Sequence, residues 1–192
     1  MPQKDTIEIS VRELVSKFYT GGDLVFSSSA SNTANDGSVI HQLWQKSRKE
    51  NYQAEVPVDY TFSQYQPEVR LRGRIDGIYP EREIITIEEI KSTIFNPNES
   101  AENPPFNHLA QLMVYGYLYG LQQEWSTTKS ICLNLVYIQT ELKDFAFYSQ
   151  IFAMNKLEEN FKSLINKFLQ WNTELESWRQ NRNSSAQSIK FP

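Results

Sequence analysis

The sequence predicts a mixed α/β fold of the α+β kind, in which a central mixed sheet is flanked by helices. The predicted core order is α-β-β-β-α-β, with a long C-terminal helix after it. Strand-like runs bounded by turn residues alternate with helical stripes along the 192 residues. Hydrophobic residues make up 40% of the chain and aromatic residues 13%, which is enough to build a core.

Two helices are predicted ahead of the strands. A capping-box serine opens an apolar stripe over residues 10–19, which a Gly-Gly pair ends. The small polar residues 27–38 predict an exposed loop. An apolar stripe then predicts a second helix over residues 38–50, and His41 lies at the edge of that stripe.

Three strand-like segments follow and predict an antiparallel meander, because only short turn-forming stretches separate them. They are residues 54–62, 69–79 and 84–92. A proline in the first of them indicates that this strand lies at an edge of the sheet.

The rest of the chain contains one loop, two helices and two strands. A Pro/Asn-rich loop over residues 95–107 precedes a helix over residues 107–123, and strands are predicted at 131–139 and 144–151. A long helix is predicted over residues 154–181. Its apolar residues form a heptad seam: Leu157, Phe161, Leu164, Phe168, Trp171, Leu175 and Trp178. We expect this seam to pack along its own domain; a coiled-coil dimer is the alternative.

Composition excludes several classes of protein. With 19 basic and 23 acidic residues the net charge is −4, so a polybasic binder is excluded and any nucleic-acid contact must come from a local patch. The single Cys132 excludes an internal disulfide framework, a four-cysteine zinc site and a four-cysteine iron–sulfur cluster. The sequence has no membrane-spanning apolar run and no signal-peptide core, which predicts a soluble, cytoplasmic protein.

Two carboxylates and a lysine carry the chemistry. Asp76 lies in GRIDG, and Glu89 and Lys91 lie in IEEIKS on the next predicted strand. Strand alternation puts Glu89 and Lys91 on one face, and a hairpin brings Asp76 to the same place. Carboxylates suit Mg²⁺ or Mn²⁺, which activate water and offset phosphate charge, while the lysine holds the attacking water. The alternative is a solvated strand face with a surface ion pair.

The helix over residues 107–123 carries a polar and aromatic stripe that includes His108, Gln111 and Tyr115. Such a stripe is suited to contact the lysine, a phosphate or a stacked base; alternatively, its tyrosines are half-buried core residues. Arg74 shares a strand face with Arg70 and Arg72. These arginines either guide a DNA backbone or form salt bridges with nearby glutamates.

Together these motifs resemble the PD-(D/E)XK nuclease superfamily, in its RecB-like branch, over residues 10–151. The resemblance implies a restriction-endonuclease-like core and a metal-dependent deoxyribonuclease. The metal ligands implied by DGSVIH, GRIDG and EEIKS are His41, Asp76, Glu89 and the main-chain carbonyl of Ile90. Asp76, Glu89 and Lys91 are the implied catalytic residues, and the ion is Mg²⁺ or Mn²⁺.

The QLMVY segment resembles the QxxxY motif of this branch and implies that Gln111 and Tyr115 line the substrate cleft, with His108 and Arg74 as further substrate-binding candidates. The chain departs from the many RecB-like nucleases that hold an iron–sulfur cluster on four cysteines. With Cys132 alone, we expect no such cluster.

A closer likeness is to the N-terminal nuclease domain fused to some bacterial DinG/XPD-type helicases. It rests on SVRELVSKFYTGGDL, GSVIHQ, EIKST and HLAQLMVYGY. In that arrangement an SIKFP-like stretch leads into the helicase motor. The likeness therefore implies a single nuclease domain over residues 1–182 and a linker tail over residues 183–192 that leads to a helicase region.

The leading hypothesis is an exonuclease that acts on single-stranded DNA ends within a DNA repair or recombination helicase-nuclease. Its expected partners are DNA, as single strands or duplex ends, and a helicase domain in cis or in trans, with no membrane; the isolated domain is expected to be monomeric. One alternative is a catalytically idle DNA-binding or scaffold module of a helicase. Another is a homodimeric restriction-type endonuclease that uses the heptad helix as its interface. The residues leave open exo or endo action, DNA or RNA as substrate, and one or two metals.

Overall fold

The computed structural model describes residues 6–19, 30–48, 51–141 and 143–188. The elements in chain order are β1 (Thr6–Ser10), α1 (Val11–Phe18), α2 (Ala30–Lys46), β2 (Gln53–Phe62), β3 (Glu68–Tyr79), β4 (Thr86–Thr93), α3 (Pro97–Glu102), α4 (Phe106–Gln122), β5 (Ser130–Gln139), β6 (Phe145–Ala153) and α5 (Met154–Ser188).

In the described residues, the strands form one six-stranded mixed sheet. Its main path runs β1-β3-β4-β5-β6, and β2 pairs with β3. The β1–β3 and β4–β5 pairs are parallel, whereas β2–β3, β3–β4 and β5–β6 are antiparallel. The predicted meander, the mixed α/β class and the long C-terminal helix are therefore confirmed. Among the described strands β2 pairs with β3 alone, in agreement with the edge position that Pro57 indicated.

Helices cover both faces of the sheet. The larger core lies on one face, where α4 packs over β2, β4 and β5, α1 packs on β1 and β3, and α5 packs on α4 and β6. On the other face Ile40 and Trp44 of α2 pack against Ile90, Val136 and Ile138. Residues 86–90 of β4 are consequently all buried, as expected for a strand that is covered on both sides. No helix in the described ranges is both long and apolar enough to cross a bilayer.

The N-terminal prediction missed β1 and misplaced the second helix. Residues 6–10 form a strand, and Ser10 at its end caps α1, with its side chain accepting a 3.1 Å hydrogen bond from the main-chain N–H of Glu13. The loop predicted over residues 27–38 is wrong from residue 30 onward, because α2 begins at Ala30 and ends at Lys46. Its first turns carry small polar residues, which tolerate a helix but show no apolar period. Residues 27–29 and 49–50, like the glycine pair, lie outside the described residues.

The loop predicted over residues 95–107 contains a short helix, α3. Asn96 caps it by accepting a hydrogen bond from the main-chain N–H of Asn98, and Pro97 occupies its first turn. Proline and asparagine, read as loop markers, are here the start signal of a helix.

Only the first half of the heptad seam packs against the domain. Leu157, Phe161, Leu164 and Phe168 are each at most 2% exposed, whereas Trp171 is 36% and Trp178 57% exposed. The expectation that the seam packs along its own domain is therefore confirmed for its first half. Helix α5 continues to Ser188, through much of the predicted tail at 183–192, and residues 189–192 lie outside the described part. The division into a nuclease domain and a linker stays a prediction.

Candidate active site

The candidate site lies where two strands of the sheet separate. On one side of β3, residues 68–72 pair with β1 and residues 77–79 pair with β4. Between them, residues 73–76 have no paired strand on that side among the described residues. The gap leaves main-chain groups to be satisfied by side chains, and it gives side chains from several elements room to meet.

Asp76 links β3 to β4 at the end of this gap. Its Oδ2 accepts a 2.7 Å hydrogen bond from the main-chain N–H of Ile90, which replaces the ladder bond lost beyond the Gly77–Glu88 pair. The carboxylate is thus held against the strand that carries Glu89 and Lys91. The prediction that the Ile90 carbonyl faces a metal ion is not tested by this contact and stays a prediction.

Glu89, Lys91 and Gln111 form a closed triangle of hydrogen bonds. Lys91 Nζ donates to Glu89 Oε1 at 2.8 Å and to Gln111 Oε1 at 3.0 Å, and Gln111 Nε2 donates to Glu89 Oε1 at 2.7 Å. The second carboxylate oxygen, Glu89 Oε2, is buried and has no hydrogen-bond partner among the described residues. A buried, unpartnered carboxylate oxygen is costly, so it marks a position where a cation would be stabilising.

His41 reaches the same place from the opposite face of the sheet. Its Nδ1 lies 3.8 Å from Asp76 Oδ2. Burial lowers the pKa of His41, so the imidazole is neutral at pH 7, which is the form that binds a metal ion. His41 and Asp76 thus stand close together, and the role of His41, Asp76 and Glu89 as metal ligands remains a prediction.

Burial also raises the pKa of the Asp76 and Glu89 carboxyl groups. It raises the pKa of Asp76 to about 6, although the hydrogen bond from Ile90 and the charge of Lys91 oppose this change. It raises the pKa of Glu89 to about 7, because the charge of Lys91 offsets only part of the burial and Asp76 adds repulsion. Two acidic groups this close resist carrying both charges without a cation between them.

Tyr115 of α4 packs against the stretch of β3 that borders the gap. Its ring lies on Gly73, where an added Cβ would stand 2.6 Å from Tyr115 Cε1, so the contact requires glycine. Burial raises the pKa of Tyr115 to about 12, although the Gln111 side chain and the main chain of Arg74 oppose this change. Tyr115 is 5% exposed. The structure therefore places it beneath Gln111 rather than at the open surface, and its predicted contact with substrate stays a prediction.

His108 extends the site along α4. Its Nδ1 lies 3.1 Å from Tyr137 Oη, and burial lowers its pKa to about 4, with the charge of Lys91 acting in the same direction. Tyr137 was not predicted as a site residue. The parallel register that pairs it with Lys91 is the signal that reveals it, and this register cannot be read from either strand alone.

The three arginines of β3 are engaged by carboxylates. Arg70 contacts Asp59 at 2.6 Å and Glu8 at 3.3 Å, Arg72 also pairs with Glu8, and Arg74 pairs with Glu55. Salt bridging is therefore observed for all three arginines, and their predicted contact with a DNA backbone, that of Arg74 included, stays a prediction. Arg74, 69% exposed, retains access to solvent beside the gap.

Two further polar residues surround Asp76 that sequence reasoning missed. Gln45 of α2 donates from Nε2 to Glu55 Oε1 at 2.7 Å and to the main-chain carbonyl of Asp76 at 2.9 Å. No motif or spacing signals either Gln45 or Glu55, because the contact joins three separate elements.

On the other face of β4, Glu88 accepts hydrogen bonds from Trp44 Nε1 at 3.3 Å and Asn134 Nδ2 at 2.7 Å, so it points away from Glu89 as alternation predicts.

The donor set suits a hard divalent cation. In the described part of the chain, no three His, Cys, Asp or Glu side chains already stand close enough to enclose an ion by themselves. Mg²⁺ does not need such a cage, since it is commonly held by one or two carboxylates and keeps several waters. The unpartnered Glu89 Oε2, the Asp76 carboxylate and the neutral His41 fit that mode of binding.

Comparison with known proteins agrees with this geometry. A family model described as PD-(D/E)XK nuclease superfamily matches residues 25–190. The fold is similar to that in the crystal structure of SSO0001, with a TM-score of 0.55 and 20% identity, covering 85% of this chain and 77% of that chain. At that identity the likeness concerns the fold alone. No curated protein matches the chain. The expected restriction-endonuclease-like fold is confirmed by the family match.

Proposed function

Because the chain belongs to the PD-(D/E)XK nuclease superfamily, we propose that it is a metal-dependent deoxyribonuclease whose centre is the gap between β3 and β4. One observation carries the proposal: Asp76, Glu89 and Lys91 lie at a break in the sheet, where a buried oxygen of Glu89 has no hydrogen-bond partner in the part of the chain that the structure describes. A scaffold would gain nothing from burying two carboxylates with a lysine, since such groups oppose folding unless they serve a site.

Asp76 and Glu89 would hold Mg²⁺ or Mn²⁺, with His41 and the main-chain carbonyl of Ile90 as further ligands. When bound, the ion supplies Lewis-acid stabilisation of phosphate charge and lowers the pKa of a water. The residues of the chain then have separate tasks. Glu89 and Gln111 orient the lysine through its two donor contacts. The third N–H of the Lys91 ammonium can donate to the attacking water or to a phosphate oxygen.

The proposed substrate is a single-stranded DNA end, cleaved as by an exonuclease of the RecB-like branch, in a cytoplasmic repair or recombination pathway. The charge of the chain supports a DNA strand that a partner protein brings to the site, rather than tight binding of DNA by this domain alone. Net charge is −4, and Arg70, Arg72 and Arg74 are already paired with carboxylates, whereas non-specific DNA affinity comes from free basic groups. A helicase of the DinG/XPD type, in cis or in trans, would bring the strand to the site.

The test is cleavage of labelled single-stranded and duplex DNA with Mg²⁺, with Mn²⁺ and with EDTA. Asp76→Ala and Lys91→Ala run beside the parent, and Asp144→Ala, an exposed aspartate at the start of the β6 hairpin, is the control. Metal-dependent cleavage that the first two variants abolish and the control retains supports the proposal. If the parent cleaves neither substrate with either metal, independent nuclease activity is refuted, and the idle helicase module becomes the better hypothesis.

A second candidate, a homodimeric restriction-type endonuclease, is favoured by one observation. The second half of the α5 seam leaves Trp171 and Trp178 exposed. Light scattering on the purified chain separates the two: a monomer supports the delivered-strand exonuclease, and a stable dimer that cuts within circular DNA supports the endonuclease.

A further inference from the structure

We propose that Gln45 is a positioning residue of this site, which fixes His41 beside Asp76 by fastening α2 to the two strands behind it; the proposal rests on the nuclease function above. Gln45 Nε2 donates to Glu55 Oε1 on β2 and to the Asp76 main-chain carbonyl on β3. One side-chain amide thus joins three elements directly behind the carboxylate.

The main-chain carbonyl of Asp76 is satisfied by this hydrogen bond from Gln45. The β2–β3 ladder pairs Ala54 with Gly77 and Val56 with Ile75, but no pair joins Glu55 and Asp76. A carbonyl without its ladder partner must find another donor when it is partly buried. Gln45 is that donor, so its hydrogen bond fastens α2 to the strand that carries Asp76.

Glu55 adopts a conformation that suits this role. Its φ is 58°, in the left-handed region that non-glycine residues seldom occupy, and this interrupts the ladder opposite Asp76. Its carboxylate lies between Gln45 and Arg74, so the two neighbours hold it from both sides. The break in the strand therefore presents an acceptor to α2 instead of to a neighbouring strand.

The link to His41 is direct. His41 and Gln45 are four residues apart on α2 and so lie on one face of the helix. The helix is also held by packing of Ile40 and by the hydrogen bond from Trp44 to Glu88. Loss of the Gln45 amide should therefore leave α2 on the sheet but free its His41 edge to move relative to Asp76.

Mn²⁺ affinity of the full chain, measured by isothermal titration calorimetry, tests this inference. Gln45→Leu removes the amide, and Gln42→Leu makes the same change at an exposed position of the same helix. We expect Gln45→Leu to weaken Mn²⁺ binding about tenfold, since residues that orient metal ligands typically contribute 10- to 100-fold. We expect Gln42→Leu to bind as the parent does.

A double variant distinguishes positioning from a general loss of structure. With His41→Ala already present, Gln45→Leu should weaken Mn²⁺ binding no further, because the residue it positions is gone. Equal affinity of Gln45→Leu and Gln42→Leu overturns this inference alone, and so does a full further loss in the His41→Ala background. A parent chain that binds no Mn²⁺ and cleaves no DNA overturns the proposed function as well.

Discussion

Replacing Glu89 by glutamine should stabilise the metal-free protein at alkaline pH. Burial raises the pKa of Glu89 from its ordinary value of 4.5 to about 7. The folded chain therefore binds this proton more tightly than the unfolded chain does. Below about pH 4.5 both states hold the proton and the carboxyl group makes no difference; as pH rises through 7 the parent loses stability. Glu89→Gln keeps the shape and the hydrogen-bonding oxygen without the charge.

The magnitude follows from the change in pKa. At about 1.4 kcal/mol for each pKa unit, a rise from 4.5 to about 7 corresponds to roughly 3 kcal/mol of stability. Lys91 already contacts Glu89, and its charge and hydrogen bond are contained in this pKa. The free energy of unfolding of Glu89→Gln should thus exceed that of the parent by roughly 3 kcal/mol at pH 8 and equal it at pH 4.

Urea denaturation followed by tryptophan fluorescence, in EDTA at pH 4 and pH 8, measures this difference. Glu83→Gln, on the exposed turn between β3 and β4, is the matched control and should unfold as the parent does at both pH values. Added Mn²⁺ should narrow the gap at pH 8, because the ion stabilises the parent and not the variant. If Glu89→Gln is no more stable than the parent at pH 8, the argument that the buried charge opposes folding is refuted.

Three further changes test the packing beside the site and along α5. Gly77→Ala should destabilise the fold by about 1–3 kcal/mol, because its Cβ would overlap the Tyr52 hydroxyl; thermal unfolding measures this, and an unchanged melting temperature would contradict it. Phe161→Ala should lower the free energy of unfolding in urea by about 3–5 kcal/mol, since the Phe161 side chain is 2% exposed and its ring centroid lies 4.6 Å from that of Phe62. Trp178→Ser should leave both the urea midpoint and the solution mass unchanged, since the ring is 57% exposed in the single chain; a smaller mass for the variant would reveal a dimer through α5.

The side-chain period within single strands and helices predicted much of the candidate site. The alternation of a strand placed Glu89 and Lys91 on one face and Glu88 on the other, and the structure agrees. The helical period placed Gln111 toward a site, and it contacts both residues. Such patterns are reliable because each depends on neighbours within one element.

Other features could not be predicted because they depend on how distant elements meet. The first turns of α2 lack an apolar period, and β1 is too short to show one, so both were missed. The ion pairs of the β3 arginines depend on the positions of Glu8, Asp59 and Glu55 on neighbouring strands, which the sequence does not show; their contact with DNA stays a prediction.

The sequence by itself determined the class of fold, the order of its core elements and the identity of the carboxylate–lysine set, because these follow from side-chain period and residue chemistry. Tertiary structure decided where that set becomes a site. The break between β3 and β4, the arrival of His41 from the opposite face and the amide of Gln45 behind Asp76 arise from strand register and helix packing. Residues 31 positions apart meet there, and no local pattern encodes such a contact.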